Sequence, residues 1–73
     1  MRRVRPDGII LPVLTPRETE VLQRITAGQS TSTMASEMNV TTETLRSYVK
    51  NVLAKLGARS RVEAAALAGR YGI

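Results

Sequence analysis

The 73-residue chain contains no cysteine, histidine, tryptophan or phenylalanine, and two tyrosines are its only aromatic residues. Without cysteine and histidine it has no disulfide, no zinc site of the Cys/His kind, no thiol nucleophile and no imidazole base. With so few aromatics it lacks a platform for stacking unpaired bases, which disfavours RNA as a partner. These absences weigh against an enzyme, and we expect no metal or other cofactor.

Long hydrophobic runs are also missing. No apolar stretch approaches the roughly 20 residues that cross a bilayer, and the opening MRRVRPDGII lacks the apolar region of a signal peptide. The formal net charge of +5 and the pI near 10.8 favour an anionic partner. We expect a soluble, cytoplasmic protein of one small domain, with a thin core and little room for a pocket.

Capping residues predict four helices. Two of the predicted starts, TPRE and SRVE, are capping boxes closed by Glu18 and Glu63, and Pro16 suits the first position of its helix. Three residues, Asn39 to Thr41, separate the second helix from the third, a tight turn typical of a helix-turn-helix. The predicted N-caps are Thr15, Ser30, Thr41 and Ser60, and the predicted stops are Gly28, Asn39, Gly57 and Gly72.

The third helix combines an apolar stripe with a slim basic face. The stripe recurs at helical spacing and consists of Leu45, Val49, Val52, Leu53 and Leu56. At roughly 100° per residue, the opposite side holds Glu43, Ser47, Lys50, Asn51 and Ala54, with Arg46 at its margin. Residues 40–61 contain Arg46, Lys50, Lys55, Arg59 and Arg61 against the single acid Glu43. The basic excess therefore lies on and just after this helix.

A slim basic helix after a tight turn suits the major groove of duplex DNA, which is about 12 Å wide and rich in acceptors. Short side chains such as Ser47 allow close approach, and Arg46 and Lys50 can then donate to guanine O6 and N7. The alternative for any one cation is a solvated surface charge, which suits Lys55 and Arg24 better than Arg46 and Lys50.

The fourth helix carries apolar residues on two opposite sides. The larger side is the better core candidate and consists of Ala64, Leu67, Ala68 and Tyr71. The side of small residues would let a second helix approach closely, which favours a homodimer, and it consists of Val62, Ala65, Ala66 and Gly69. The alternative is that the alanines serve helix propensity alone.

Residues 1–13 are interpreted as a basic arm or linker before a domain at residues 14–73. Arginines precede a turn signal at Pro6-Asp7-Gly8, and an apolar strip from Ile9 to Leu11 could dock on the core. A disordered leader and an arm that touches DNA are the alternatives for this segment.

Three runs of residues together resemble the DNA-binding domain of the LuxR/NarL (GerE-type) family of bacterial transcription regulators. They are LTPRE at residues 14–18, TLR at residues 44–46, and KLG followed by SRVEA within residues 55–64. The resemblance covers about residues 14–73. It implies an all-α, four-helix domain with a helix-turn-helix whose third helix reads the major groove. It also implies dimerisation through the fourth helix on inverted or direct repeats.

The resemblance assigns roles to single residues. The base-reading positions fall on Arg46, Ser47 and Lys50, as on the helical wheel. Contacts to the DNA backbone are assigned to Thr42, Thr44, Tyr48, Asn51, Ser32 and Arg61, and Asn51 has a base as its alternative target. Two positions depart from the family. Ser32 stands where a basic residue is common, which weakens a phosphate contact to a hydroxyl, and Tyr48 stands where histidine is common.

Two other functional classes stay open at this point. One is a helical protein-binding module, for example a partner of RNA polymerase, whose basic face meets an acidic surface. The other is an enzyme, which lacks support because no general base, phosphate loop or metal constellation accompanies the acids and hydroxyls. Whether the chain is a stand-alone regulator or an output domain behind a receiver or sensor also stays open, as do its operator, its signal and the choice of activator or repressor.

Overall fold

The structure is a computed structural model that describes residues 2–4 and 10–72, with side chains described from residue 13 onward. Four helices form the domain: α1 (Pro16–Thr26), α2 (Thr31–Met38), α3 (Thr42–Leu56) and α4 (Arg61–Tyr71). The predicted all-α, four-helix domain is confirmed. In the described ranges, no helix is both long and apolar enough to cross a membrane.

A pair of short strands precedes the helices. β1 (Arg2–Val4) and β2 (Ile10–Pro12) are antiparallel, with Arg3 opposite Leu11. The sequence gives no reason to expect them, because three residues are too few to show an alternating pattern. The turn predicted at residues 6–8 and the side chains of the apolar strip at residues 9–11 lie outside the described residues.

Caps set the starts of α1 and α4 in two different ways. In α1, Thr15 Oγ1 accepts from the Glu18 N–H at 3.1 Å and Glu18 Oε1 accepts from the Thr15 N–H at 2.8 Å, so this capping box is confirmed. In α4, Ser60 Oγ accepts from the Glu63 N–H at 3.1 Å, but the Glu63 carboxylate accepts from the Arg59 N–H at 3.3 Å. The second half of that predicted box is wrong. Ser60 has φ −152° against −68° for Thr15, which turns its own N–H away.

Residues in the left-handed conformation follow all four helices, as predicted. They are Gly28, Asn39, Gly57 and Gly72, with φ of 80°, 58°, 69° and 72°. Asn39 is the only non-glycine residue with positive φ in the described part of the chain. Its short side chain tolerates this conformation, and the chain therefore reverses between α2 and α3 within the three residues predicted for the turn.

One face of each helix contributes to a single hydrophobic core. Its buried members are Val21, Leu22, Ile25, Met34, Ala35, Met38, Leu45, Val49, Val52, Leu56, Ala64 and Ala68. Leu53 is partly buried against them. The predicted core side of α4 is confirmed, but Ala64 and Ala68 lie deepest while Leu67 and Tyr71 sit at the edge. Alanine lets α4 pack close to α1 and α3, since interaxial distance depends on the side chains at the contact.

Candidate nucleic-acid interface

Helix α3 is held along one side and open along the other. Leu45 and Val52 are fully buried, which fixes the helix against the core near both ends. The opposite side is exposed along its length and presents Glu43, Arg46, Ser47, Lys50, Asn51 and Ala54. The structure therefore brings the predicted base-reading residues onto one accessible surface, which we call the α3 face.

Hydroxyl groups surround the start of α3. Thr41 Oγ1 accepts from the Thr44 N–H at 3.1 Å, and the Thr41 hydroxyl donates to Thr44 Oγ1 at 3.0 Å. Thr44 is left with its own hydroxyl hydrogen for an outside acceptor, and the exposed Thr42 lies beside it. An anion fits this end of a helix because the first N–H groups and the positive end of the dipole point outward.

The centre of the α3 face is slim and carries free positive charge. The Ser47 hydroxyl lies 3.4 Å from the Glu43 carbonyl oxygen, so its side chain turns back along the helix. In the described structure, Arg46 and Lys50 form no hydrogen bond or ion pair. Their charges are therefore available to an outside acceptor, and the short Ser47 is exposed beside them on the same face.

Lys55 and Arg24, for which the sequence favoured a solvated surface charge, both contact acidic side chains of the protein. Lys55 Nζ lies 2.7 Å from Glu18 Oε1. Arg24 bonds Glu20 Oε2 at 3.1 Å and also bonds Glu37, which joins α1 to α2. Solvation alone, which was expected for Lys55 and Arg24, is wrong because acidic partners hold both. The base-reading roles of Arg46 and Lys50 stay a prediction.

The contact between Glu18 and Lys55 ties the last turn of α3 to the first turn of α1. The Glu18 residue is only 6% exposed. Burial raises the pKa of its carboxyl, but the hydrogen bonds from Lys55 and from the Thr15 backbone, together with the Lys55 charge, outweigh burial, so the net pKa lies below its ordinary value. The Glu18 carboxyl is therefore charged near neutral pH, and its contact with Lys55 joins α3 to α1.

The chain matches the family described as "Bacterial regulatory proteins, luxR family" over residues 12–68, which includes all of α1, α2 and α3 and most of α4. It belongs to this luxR family. The family consists of DNA-binding transcription regulators with a helix-turn-helix and is not a class of enzymes. DNA binding in transcription regulation is therefore the functional class of this domain.

Three curated proteins illustrate the relationship. The probable transcriptional regulatory protein NarL of Mycobacterium tuberculosis (strain ATCC 25618 / H37Rv) is 43% identical over 61 residues, covering 84% of this chain and 28% of that protein. The HTH-type transcriptional activator RamA of Corynebacterium glutamicum is 41% identical over 73 residues, covering 90% and 26%. The spore germination protein GerE of Bacillus subtilis (strain 168) is 36% identical over 53 residues, covering 73% and 72%. The chain thus spans little more than a quarter of NarL and RamA.

The residues predicted to contact the DNA backbone in this luxR-family domain lie either on α3 or near the start of α2. Thr42, Thr44 and Asn51 are exposed on α3, whereas Tyr48 is half-buried with its side chain packed on the edge of the core. Arg61 reaches from α4 to α2, where its guanidinium donates to Thr31 Oγ1 beside the exposed Ser32. The structure therefore places the Arg61 guanidinium at Thr31, the first residue of α2, which directly precedes Ser32.

Two contacts between helices could not be found from the sequence. Glu18 and Lys55 are 37 positions apart, and the capping box already accounts for Glu18 as a local feature. Arg61 and Thr31 are 30 positions apart, and Thr31 carries no signal beyond a hydroxyl after the cap. Contacts of this kind depend on how helices pack, which spacing along one helix does not encode.

The second side of α4 is uncovered in this luxR-family domain. Val62 is 82% exposed, Ala66 and Gly69 are exposed, and Ala65 is half-buried. Nothing lies within 4 Å of the position that a Cβ on Gly69 would occupy. A helix of another molecule has room to approach here, and the homodimer stays a prediction.

Proposed function

We propose that the chain binds specific sequences of double-stranded DNA as a bacterial transcription regulator, or as the output domain of one, with α3 lying in the major groove. The observation that carries this proposal is the α3 face. It is exposed and slim, and it presents the unpaired cations Arg46 and Lys50, while Leu45 and Val52 fix the opposite side in the core. A major groove admits a helix with this cross-section and offers acceptors to its donors.

The base contacts follow from the donors on the α3 face. Arg46 and Lys50 donate to guanine O6 and N7, and the Ser47 hydroxyl pairs with either a donor or an acceptor. Asn51 lies one turn beyond Ser47 on the same side and reaches a base or a phosphate. These residues supply sequence preference because base edges, unlike phosphates, differ between base pairs.

Contacts to the DNA backbone come from the starts of two helices. Thr42 and Thr44 meet a phosphate at the start of α3, and Ser32 and Arg61 meet another at the start of α2. Arg61 keeps guanidinium donors beyond the one given to Thr31. Tyr48 supplies its hydroxyl from the edge of the core. Phosphate contacts from both helices would set the register of α3 in the groove.

The uncovered side of α4 suits a homodimer. Val62 and its neighbours Ala65, Ala66 and Gly69 make an apolar, small-residue surface on which an identical helix can pack. Two copies joined in this way would bind two half-sites arranged as an inverted or direct repeat. Such a regulator acts in the bacterial cytoplasm, where the chromosome lies.

Selection of binders from randomised duplexes tests the proposal. We expect a recurring sequence, a footprint confined to it, and an affinity that falls steeply with salt concentration because phosphate contacts release counterions. Binding of all duplexes with equal affinity would contradict sequence-specific reading by α3. Failure to bind any duplex, together with binding to an acidic protein surface such as one on RNA polymerase, would favour the protein-binding module instead.

A further inference from the structure

Glu43 is an acidic residue on a surface that otherwise suits a polyanion. It lies in the first turn of α3, is exposed, and shares the α3 face with Arg46, Ser47 and Lys50. Residues at positions i, i+3, i+4 and i+7 of a helix form one continuous ridge. In a recognition helix, the N-terminal residues are the ones that contact base edges. Glu43 is therefore placed at the part of α3 that approaches DNA most closely.

The carboxylate of Glu43 also stands apart from the other acids in the described structure, because it has no hydrogen bond or ion pair. The contact with Ser47 uses the Glu43 backbone oxygen and leaves the carboxylate free. The other described acids have partners: Glu18 with Lys55, Glu20 with Arg17 and Arg24, Glu37 with Arg24, and Glu63 with the Arg59 N–H. An internal structural role therefore explains each of them but not Glu43.

An unpaired carboxylate carried towards DNA is repelled unless it meets a donor there. Phosphates, guanine N7 and O6, and thymine O4 are all acceptors and cannot satisfy it. The N4 amino group of cytosine is a donor exposed in the major groove, and a carboxylate is the side-chain group that accepts from it. Adenine N6 is the other donor in this groove, but the N7 acceptor of the same base lies beside it and repels a carboxylate, so the choice favours cytosine.

We propose that Glu43 is a specificity-determining residue that accepts a hydrogen bond from the N4 amino group of a cytosine in each half-site. The proposal deepens the proposed function and rests on it, since it requires α3 in the major groove. Glu43 and Lys50 are seven positions apart on the helix, a rise of about 10 Å, or about three base-pair steps. Glu43 and Lys50 therefore read different base pairs.

Another role for Glu43 is stabilisation of the α3 start by interaction of its charge with the helix dipole. That role depends on charge and affects folding, but it gives no preference for any base. A readout at single base positions therefore separates the two roles, whereas melting temperature reports only on the dipole effect.

The experiment compares base preference in the wild type, Glu43→Ala and Glu43→Gln on duplexes from the selection above, each position being varied to all four bases. The wild type should prefer cytosine at one position of the half-site by roughly tenfold. Glu43→Ala should remove that preference. Glu43→Gln should move it towards adenine, whose N6 and N7 suit an amide. Replacing the cytosine by N4-methylcytosine should weaken DNA binding by the wild type by a similar factor and leave DNA binding by Glu43→Ala unchanged.

Glu63→Gln is the matched control. It makes the same change of net charge on α4 and keeps an oxygen that can accept from the Arg59 N–H. Its base preferences should equal those of the wild type. A wild type that binds a specific sequence without a cytosine preference, or a Glu43→Ala variant that keeps it, overturns the role of Glu43 while the proposed function stands. A wild type with no sequence preference at all overturns both.

Discussion

The Nζ of Lys55, in the last turn of α3, lies 2.7 Å from Oε1 of the buried Glu18 in the first turn of α1. The same carboxylate oxygen accepts the Thr15 N–H at 2.8 Å. One side chain thus caps α1 and ties down the far end of α3. The direction of the α3 face depends on this contact as well as on the apolar stripe.

Lys55→Met should lower the free energy of unfolding by about 1 to 2 kcal/mol, because it leaves the Glu18 carboxylate buried without its cation. The Lys55 side chain is 41% exposed, which keeps the loss below that of a fully buried pair. Urea unfolding followed by circular dichroism measures it. The double variant Glu18→Gln/Lys55→Met should regain part of the loss, and a single variant as stable as wild type would contradict the role of this contact.

The same contact predicts a pH dependence. The pKa of Glu18 is lower in the folded chain than its ordinary value of 4.5, so its contribution to stability is complete above that pH. The contribution is lost as pH falls below 4.5 and through the folded pKa. Melting temperatures between pH 7 and pH 3 should fall more steeply for the wild type than for Glu18→Gln. Parallel curves for the two proteins would contradict a lowered Glu18 pKa.

The helices were predictable from the sequence because their signals are local. The TPRE box, the apolar stripe of α3 and the left-handed Asn39 each act within a few residues, and the structure confirms all three. The exposure of the α3 face follows from the same stripe, since a buried side implies an open one. The second bond of the SRVE box was not predictable, because it depends on the φ of Ser60.

Contacts between helices could not be predicted from the sequence. In the sequence, Arg24, Lys55 and Arg61 look like ordinary surface cations. The packing of the helices places an acceptor beside each of them, which is Glu37, Glu18 and Thr31 respectively. The carboxylates beside Arg24 and Lys55 engage these two cations within the protein, whereas Arg61 donates only to a neutral hydroxyl. The strands β1 and β2 were not predicted for a different reason. Each has only three residues and is recognised by its hydrogen-bonded pairing with the other.

Arg46→Ala and Lys50→Ala should each weaken binding to the selected sequence by about 1 to 3 kcal/mol and relax the preference at one base position. Both side chains are exposed, so melting temperature should change little. Fluorescence anisotropy with selected and random duplexes measures the two affinities. Arg70→Ala, which removes the same charge from an exposed position on α4, is the control. Equal losses on selected and random DNA would make these residues phosphate contacts.

Val62→Glu should abolish a dimer without unfolding the domain. Val62 is 82% exposed, so a charge there meets water in the monomer but would lie buried and unpaired between two α4 helices. Sedimentation equilibrium with a duplex carrying two half-sites gives the stoichiometry. Leu67→Glu, on the side packed against the core, should instead lower the melting temperature. A dimer that survives Val62→Glu would place the interface elsewhere.

Arg61→Ala separates a phosphate contact from an internal tie. If the free donors of Arg61 contact a phosphate, the variant should bind all duplexes more weakly by about the same factor. The slope of log affinity against log salt concentration should fall by about one. Thr31→Val is the matched control, because it removes the internal acceptor of Arg61 and keeps its charge. That variant should retain the wild-type salt slope. If Arg61→Ala also retains the slope but unfolds more readily, then Arg61 serves only to hold α4 against α2.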